Sequence, residues 1–481
     1  MNASPERVVL WPAFVTLSLL SACQFAPDHV RPDPPISPDY PAEYTEEEAK
    51  ARASALGWRD FFVDPRLRAL IGQALERNRD LAIAVQQIEE TRGLYRLQRA
   101  DQLPSIGLSA SATRTGGLGF AQGGAGVGGA SGTAGLEEVY TVGVGLSVFE
   151  LDFWGRVRNL TAAARAEYLS TVTAMRAFRL TLIREVAFAY LTSLEATERI
   201  RLAEATVDSR TEETRIARRR FDAGVTSETD LRQAETLLTQ AETQLAELRL
   251  VRAQSENLLQ VLVGGPTDES LPPTVPLADQ TNLQPLTTGT PSDLLLYRPD
   301  IISAESRLRG ARANIGAARA AFFPTISLTG QYGYSSPDLD ALVGPNRRSW
   351  TYGPSLDLPI FDFGRRRANL DVATARERSA AAEYERTIQT AFQEVSDALA
   401  GRRFLAEQVA AQERGLAAQR RLAELARTRY RGGVTTYLEV LDAERNLFST
   451  EQTLLQLRRA QAANLVSLYV ALGGGVLDGG G

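Results

Sequence analysis

The sequence predicts an α+β membrane protein in which one unit is used twice. Three observations predict it. Motif blocks return in the same order, alternating stretches of membrane-crossing length come in pairs around Gly-rich loops, and proline-free helical stretches of roughly 66 residues follow each pair.

Arg220-Phe221-Asp222-Ala223-Gly224-Val225-Thr226 returns as Arg429-Tyr430-Arg431-Gly432-Gly433-Val434-Thr435, an offset of 209 residues between Gly224 and Gly433. Asp152-Phe153-Trp154-Gly155-Arg156 returns as Asp362-Phe363-Gly364-Arg365 with one residue deleted. Leu103-Pro104-Ser105-Ile106-Gly107-Leu108-Ser109 returns as Phe323-Pro324-Thr325-Ile326-Ser327-Leu328-Thr329, offset by 220 residues. Ordered blocks of this kind mark an internal duplication. The first repeat is expected over residues 63–265 and the second over 301–472, with a linker at 266–300 rich in Pro, Thr and Gly and a Gly-rich tail at 473–481.

Within each copy the strands come first. Ile106, Leu108, Ala110 and Ala112 fall on one face, and Ser105, Gly107, Ser109 and Ser111 on the other. The same alternation runs through Tyr140 to Val148, Thr325 to Tyr334 and Trp350 to Ile360, predicting strands near 103–115, 137–150, 324–335 and 349–361. Such lengths suit tilted membrane strands, with Gly, Ser, Thr and Asp357 toward a wet lumen and the apolar face toward lipid. A half-buried soluble sheet gives the same alternation. Pairs bracketing the Gly-rich loop Gly116 to Gly135 and its counterpart Ser335 to Arg348 favour the membrane reading.

The helices come next. Arg156 to Phe221 and Arg365 to Tyr430 contain no proline and would extend about 100 Å at the α-helical rise. Leu180, Ile183, Ala187, Tyr190, Leu191 and Leu194 recur at helical spacing. Asp152 and Asp362 are placed to cap at the strand-to-helix changeovers, where Gly155 and Gly364 relieve the bend. Phe149, Phe153, Trp154, Phe322, Phe323, Phe361 and Phe363 gather near these changeovers as an interfacial aromatic belt would, although core packing accounts for any one of them. At the far ends, near 222–227 and 431–436, Gly224 and Gly433 supply left-handed C-terminal residues. Ser227 to Asp230 and Thr436 to Glu439 then fit capping boxes for the returning helices.

The N-terminus carries an apolar stretch, Val8 to Leu20, followed by Leu20-Ser21-Ala22-Cys23. Residues 1–22 read as a signal peptide and Cys23 as a lipidated first residue; the alternative for Cys23 is a small buried hydrophobe. Residues 23–62 are expected to run extended, with proline concentrated between Pro27 and Pro41.

Composition narrows the chemistry. A net charge of −5, without a basic stripe, argues against nucleic acid. One His and one Cys remove most metal sites and most Ser/His or Cys/His catalysis. No apolar run reaches the 18 or more residues of a membrane helix. No phosphate loop, catalytic constellation or cofactor motif is visible.

Together the blocks resemble the outer membrane factors of tripartite pumps, TolC-like and closest to the OprM-like lipoproteins. The resemblance covers the whole chain. Its carriers are Leu20-Ser21-Ala22-Cys23, Trp58-Arg59-Asp60-Phe61-Phe62, Arg79-Asp80-Leu81, Leu151 to Arg156, Pro291-Ser292-Asp293-Leu294-Leu295, Arg298-Pro299-Asp300-Ile301 and the two Gly-Val-Thr turns. It implies a homotrimer with a 12-stranded outer-membrane β-barrel, four strands per chain, continued by a long periplasmic α-helical barrel. Strand arithmetic agrees, because four strands cannot close a barrel and open edges are not tolerated in lipid. Gln24 after Cys23 favours the outer membrane, since inner-membrane retention of lipoproteins typically uses Asp there.

The function implied is a passive exit duct for drugs and other small amphiphilic compounds. It would be supplied by an inner-membrane RND transporter and a periplasmic adaptor, with no catalysis and no cofactor. By resemblance the tips Gly224, Val225, Thr226, Gly433, Val434 and Thr435 meet the adaptor. Glu439 and Asp442 would face the pore axis at the periplasmic aperture, Leu438 would add an apolar constriction, and Tyr430 would hold neighbouring helices closed. The first repeat carries Asp230 and Gln233 at the corresponding places, so only the second has two acids. Glu439 has another use as the capping-box acid of Thr436, and Asp442 another as a partner of Arg445. Competing readings are the outer component of a type I protein secretion system, a metal-efflux channel and a lipid-anchored coiled-coil scaffold. The lipobox and OprM-like blocks oppose the first, two Met and one His the second, and the strands the third.

Overall fold

The computed structural model describes residues 25–41, 51–116, 136–267, 271–281, 286–287 and 291–475. Cys23, the expected signal peptide, the loop residues 117–135 and most of the Gly-rich tail lie outside them.

In chain order the elements are β1 (Ala51–Arg52), α1 (Trp58–Phe61), α2 (Pro65–Arg77), α3 (Arg79–Ala100), β2 (Ile106–Gly116) and β3 (Leu136–Glu150). The first long hairpin is α4 (Arg156–Asp222) and α5 (Glu228–Val263). After β4 (Leu286–Thr287) the pattern returns as α6 (Pro291–Tyr297), α7 (Pro299–Ala320), β5 (Thr325–Ser336), β6 (Arg348–Asp357), α8 (Arg365–Arg431) and α9 (Tyr437–Ala471). The long helices α4 and α8 have 67 residues each.

The chain divides into two compact units that cut across the repeats. One gathers Glu89–Leu169 and Ser306–Ala382 with the N-terminal stretch through Arg31; the other gathers Pro32–Ile88, Ser170–Glu305 and Glu383 onward.

In the first unit, β2, β3, β5 and β6 form one antiparallel sheet in that order, leaving β2 and β6 as its edges. The register places Ile106 opposite Leu146, Leu108 opposite Val144, Val144 opposite Tyr332, and Tyr332 opposite Trp350. One face is therefore apolar across all four strands. It is also bare: Leu108 is 78% exposed and Trp350 70%. The other face carries a hydroxyl ladder in which Ser111 meets Thr141 at 2.7 Å, Ser327 meets Ser355 at 2.7 Å, and Thr329 donates to the Gly353 carbonyl at 3.1 Å. Gly143 and Gly333 face each other across β3 and β5. A Cβ on Gly143 would stand 2.8 Å from the Tyr332 carbonyl, so this register requires glycine. β6 ends at Asp357, short of the alternating stretch read to 361, because Pro359 has no N–H to continue a ladder.

Below the sheet, Trp154 stacks on Phe323 at 4.8 Å and donates to the Pro324 carbonyl at 2.8 Å. Phe25 stacks on the same Phe323 at 4.7 Å, and Arg319 and Arg312 donate to the carbonyls of Phe25 and Val30. The stretch that follows Cys23 is thus clamped along α7. Phe361 and Phe363 project outward, with Phe363 91% exposed. Asp152 accepts the backbone N–H of Arg158, and Asp362 accepts those of Gly364 and Arg366.

The second unit holds the helical core. Ile183, Ala187, Tyr190, Leu191 and Leu194 are buried on one face of α4. Phe61 stacks on Tyr469 at 4.1 Å, both fully buried. Asp64 caps α2 and accepts hydrogen bonds from Tyr190 Oη at 2.5 Å and Gln280 Nε2 at 2.6 Å. Both repeats tie the end of the second hairpin helix back to the preceding segment by the same device. Asn78 Nδ2 donates to the Leu262 carbonyl at 2.9 Å, and Arg298 Nη1 donates to the Ala471 carbonyl at 3.0 Å.

Candidate functional site at the hairpin tips

Each hairpin reverses on a glycine in the left-handed region, Gly224 at φ +68° and Gly433 at φ +72°. Val225 N–H reaches back to the Arg220 carbonyl at 2.8 Å and Val434 N–H to Arg429 at 2.9 Å, closing Schellman-type ends. Nothing lies within 4 Å of a Cβ placed on either glycine, and Val225 and Val434 are 66% and 70% exposed. The tips present small side chains to open space.

The threonines of the two turns have an internal task. Thr226 donates to Asp230 at 2.6 Å, and Thr435 donates to Glu439. In the first turn Ser227 also completes a capping box with Asp230. The corresponding Thr436 makes no side-chain cap; the preceding hydroxyl and Arg429, at 3.0 Å, occupy Glu439 instead. The capping box expected at Thr436 is therefore corrected to a Thr435–Glu439 bond. Hydrogen bonds from Thr226 and Ser227 hold the Asp230 carboxyl below the usual carboxylate range.

Between the hairpins lies a cleft of about 730 Å³. Gly224, Val225, Thr226, Tyr430 and Leu438 line it; Gly433, Val434, Thr435, Glu439 and Asp442 do not. Tyr430 accepts a hydrogen bond from Arg220 of the other hairpin, and its ring centre lies 5.3 Å from that of Tyr437. Leu438 is 52% exposed. Asp442 pairs with Arg445 at 3.1 Å on the exposed side of α9.

Two residues that line the cleft, Glu213 and Tyr437, belong to a cluster that reading the sequence does not reveal. Arg210, 5% exposed, bridges Glu213 at 2.6 Å and Glu444 of the second hairpin at 3.0 Å. Arg427 meets the same Glu444 at 2.7 Å, and Tyr437 hydrogen-bonds Glu213. Burial pushes the Glu213 carboxyl above its ordinary range against the opposing pull of Arg210, and pushes the Tyr437 hydroxyl up as well. The signal available in the sequence was asymmetry between copies. Arg427–Glu444 repeats Arg218–Glu235, but Arg210 and Glu213 fall where the second copy has Gln419 and Leu422.

The profile of the family described as "Outer membrane efflux protein" matches residues 70–265 and 290–474. The chain is 40% identical over 465 residues to the toluene efflux pump outer membrane protein TtgC of Pseudomonas putida, covering 96% of this chain and 94% of that protein. It is 38% identical over 467 residues to the cation efflux system protein CusC of Escherichia coli, covering 97% and 99%. Among solved structures, the open state of the Neisseria gonorrhoeae MtrE outer membrane channel superposes with a TM-score of 0.84 at 37% identity, covering 94% of this chain and 99% of that one.

Proposed function

The chain belongs to the outer membrane efflux protein family and is an outer-membrane efflux channel; from that premise we propose that three copies close one duct, gated at the hairpin tips and fed by a periplasmic adaptor and an inner-membrane RND transporter. The observation that carries this reading is the four-stranded sheet. Its apolar face is bare, its opposite face is a hydroxyl ladder, and both edges are open. Such a sheet is unstable in lipid until its edges are paired, and three copies supply the strands of a 12-stranded barrel. Family members are channels, not enzymes; this chain accordingly conducts and does not turn over.

Gating follows from the tips. Three copies around one axis would gather three Asp442 carboxylates, with Leu438 beside them, and a ring of carboxylates favours cations. Glu439 is held by both Thr435 and Arg429, whereas Asp442 has the single partner Arg445 among the contacts described above, so Asp442 is the stronger pore residue. The Arg220–Tyr430 bond and the Arg210 cluster tie one hairpin of a protomer to the other and oppose opening. The exposed Gly-Val-Thr turns leave room for the helical hairpin of an adaptor. Cys23 is read as the lipid anchor, and clamping of Phe25 along α7 would place it beside the barrel.

Relatives carry names for both solvent and cation export at similar identity, so they do not choose the cargo. Scarcity of soft ligands in this chain favours small amphiphilic compounds. The test is complementation. In a host lacking its own efflux duct but keeping adaptor and transporter, the chain is expected to restore resistance to apolar drugs. Replacing Gly224 or Gly433 by a bulky β-branched residue is expected to abolish that resistance with the trimer intact. Wild-type resistance in both variants would remove the docking assignment.

A further inference from the structure

We infer that each protomer carries an oxyanion-binding cleft between its first hairpin and α9, suited to a phosphate, sulfate or carboxylate group. The cleft has a volume of about 320 Å³, at the lower end of the range for small-ligand sites. Arg199, Arg210 and Arg445 line it together with Gln240, Gln244 and Gln452, and among the described residues its lining holds no acidic side chain. The carboxylates that accompany these arginines stand outside the lining. Glu195 meets Arg199 at 2.9 Å, Glu213 and Glu444 meet Arg210, and Asp442 meets Arg445.

The second observation is Gln452, which is 5% exposed and whose Nε2 has no hydrogen-bond partner among the described residues. Its amide orientation is not arbitrary. Arg199 Nε donates to Gln452 Oε1, and because a guanidinium cannot accept, the oxygen must face it and the NH₂ must point away. A buried donor left unmatched is costly, and an acceptor oxygen that reaches it removes that cost. A water would satisfy one donor, whereas an oxyanion would satisfy it and also accept from the guanidinium N–H groups that line the cleft.

None of this is generic packing of a duplicated helix. At the offset of 209 residues, Arg199, Arg210, Arg445 and Gln452 correspond to Gln408, Gln419, Thr236 and Thr243. The corresponding positions of the other copy carry no cation, and the donors of the cleft belong to both repeats.

The test uses full-length trimer in detergent and equilibrium dialysis against radiolabelled inorganic phosphate at low ionic strength. Expected is saturable binding at one site per chain, displaced by sulfate. Gln452→Glu puts a carboxylate in place of the orphan donor and is expected to weaken binding about tenfold or more, while Gln452→Met removes the donor alone and weakens it less. Arg199→Gln should act like Gln452→Glu. Both Gln452 variants keep the side-chain size, and trimer recovery checks their folding. Absence of saturable uptake, or equal binding by wild type and Gln452→Glu, would overturn the assignment. Displacement by acetate as readily as by sulfate would identify the ligand as a carboxylate and keep the site.

Discussion

Glu444→Gln tests whether the buried cluster holds the duct closed. Glu444 accepts from Arg210 and Arg427, and its side chain is 8% exposed. Removing one partner of a buried ion pair typically costs about 3–5 kcal/mol; Arg210 retains Glu213, which places this change near the lower bound. If the contact exists only while the hairpins are together, about 3 kcal/mol shifts the closed-to-open ratio by a factor of roughly 150. The duplication supplies a control. Glu235 is the same position in the first repeat, paired with Arg218 and Arg232 of its own hairpin at 27% exposure. Pairs this accessible contribute about 0–1 kcal/mol. In single-channel recordings, Glu444→Gln is expected to lengthen open dwells strongly and Glu235→Gln hardly at all. Equal behaviour of the two variants, with trimers intact, would refute the reasoning.

Three further outcomes are expected. Gly264→Ala introduces a Cβ against the Arg77 carbonyl at φ +86°, so the left-handed strain of about 1–2 kcal/mol and overpacking of about 1–3 kcal/mol combine; thermal melting should fall far more than for Gly224→Ala, whose Cβ meets open space. The pH dependence has opposite signs at two tip carboxyls. Asp230 is held low by Thr226 and Ser227, so its contribution is complete above the ordinary aspartate range and is lost as pH falls through its lower folded value. Glu213 is held high by burial, so the folded state favours its protonated form and that advantage fades as pH rises through the raised value. Asp230→Asn should therefore lower the melting temperature at neutral pH, whereas Glu213→Gln should leave it unchanged or raise it; the same sign in both would contradict this. Asp442→Ala should weaken block by divalent and trivalent cations and reduce cation selectivity, while Arg445→Gln, by releasing Asp442, should increase both.

What the sequence disclosed was local or repeated. Alternation in Ile106 to Ala112 marks a strand because the side-chain period is two, and the paired Gly-Val-Thr blocks mark helix ends because glycine at positive φ has few uses. The Asp442–Arg445 pair is local too, three residues apart on one helix face. The Arg210–Glu444 bridge joins helices from different repeats, and nothing near either residue announces it. Choice between Thr435 and Thr436 as the partner of Glu439 also escaped the pattern, because both hydroxyls fit a cap and only the backbone at the turn decides. Residues such as Gln452 become visible only when burial and partners are known together.

Closure of the barrel by three copies is tested most directly across the open sheet edges. In membranes, a cysteine at Ser109 on β2 combined with one at Ser349, Thr351 or Ser355 on β6 places a thiol on each edge strand. Oxidation is expected to link β6 of one protomer to β2 of the next for at least one pair, giving a covalent trimer on a denaturing gel and no larger species. Only monomers across every pair, or ladders extending beyond three chains, would contradict the account.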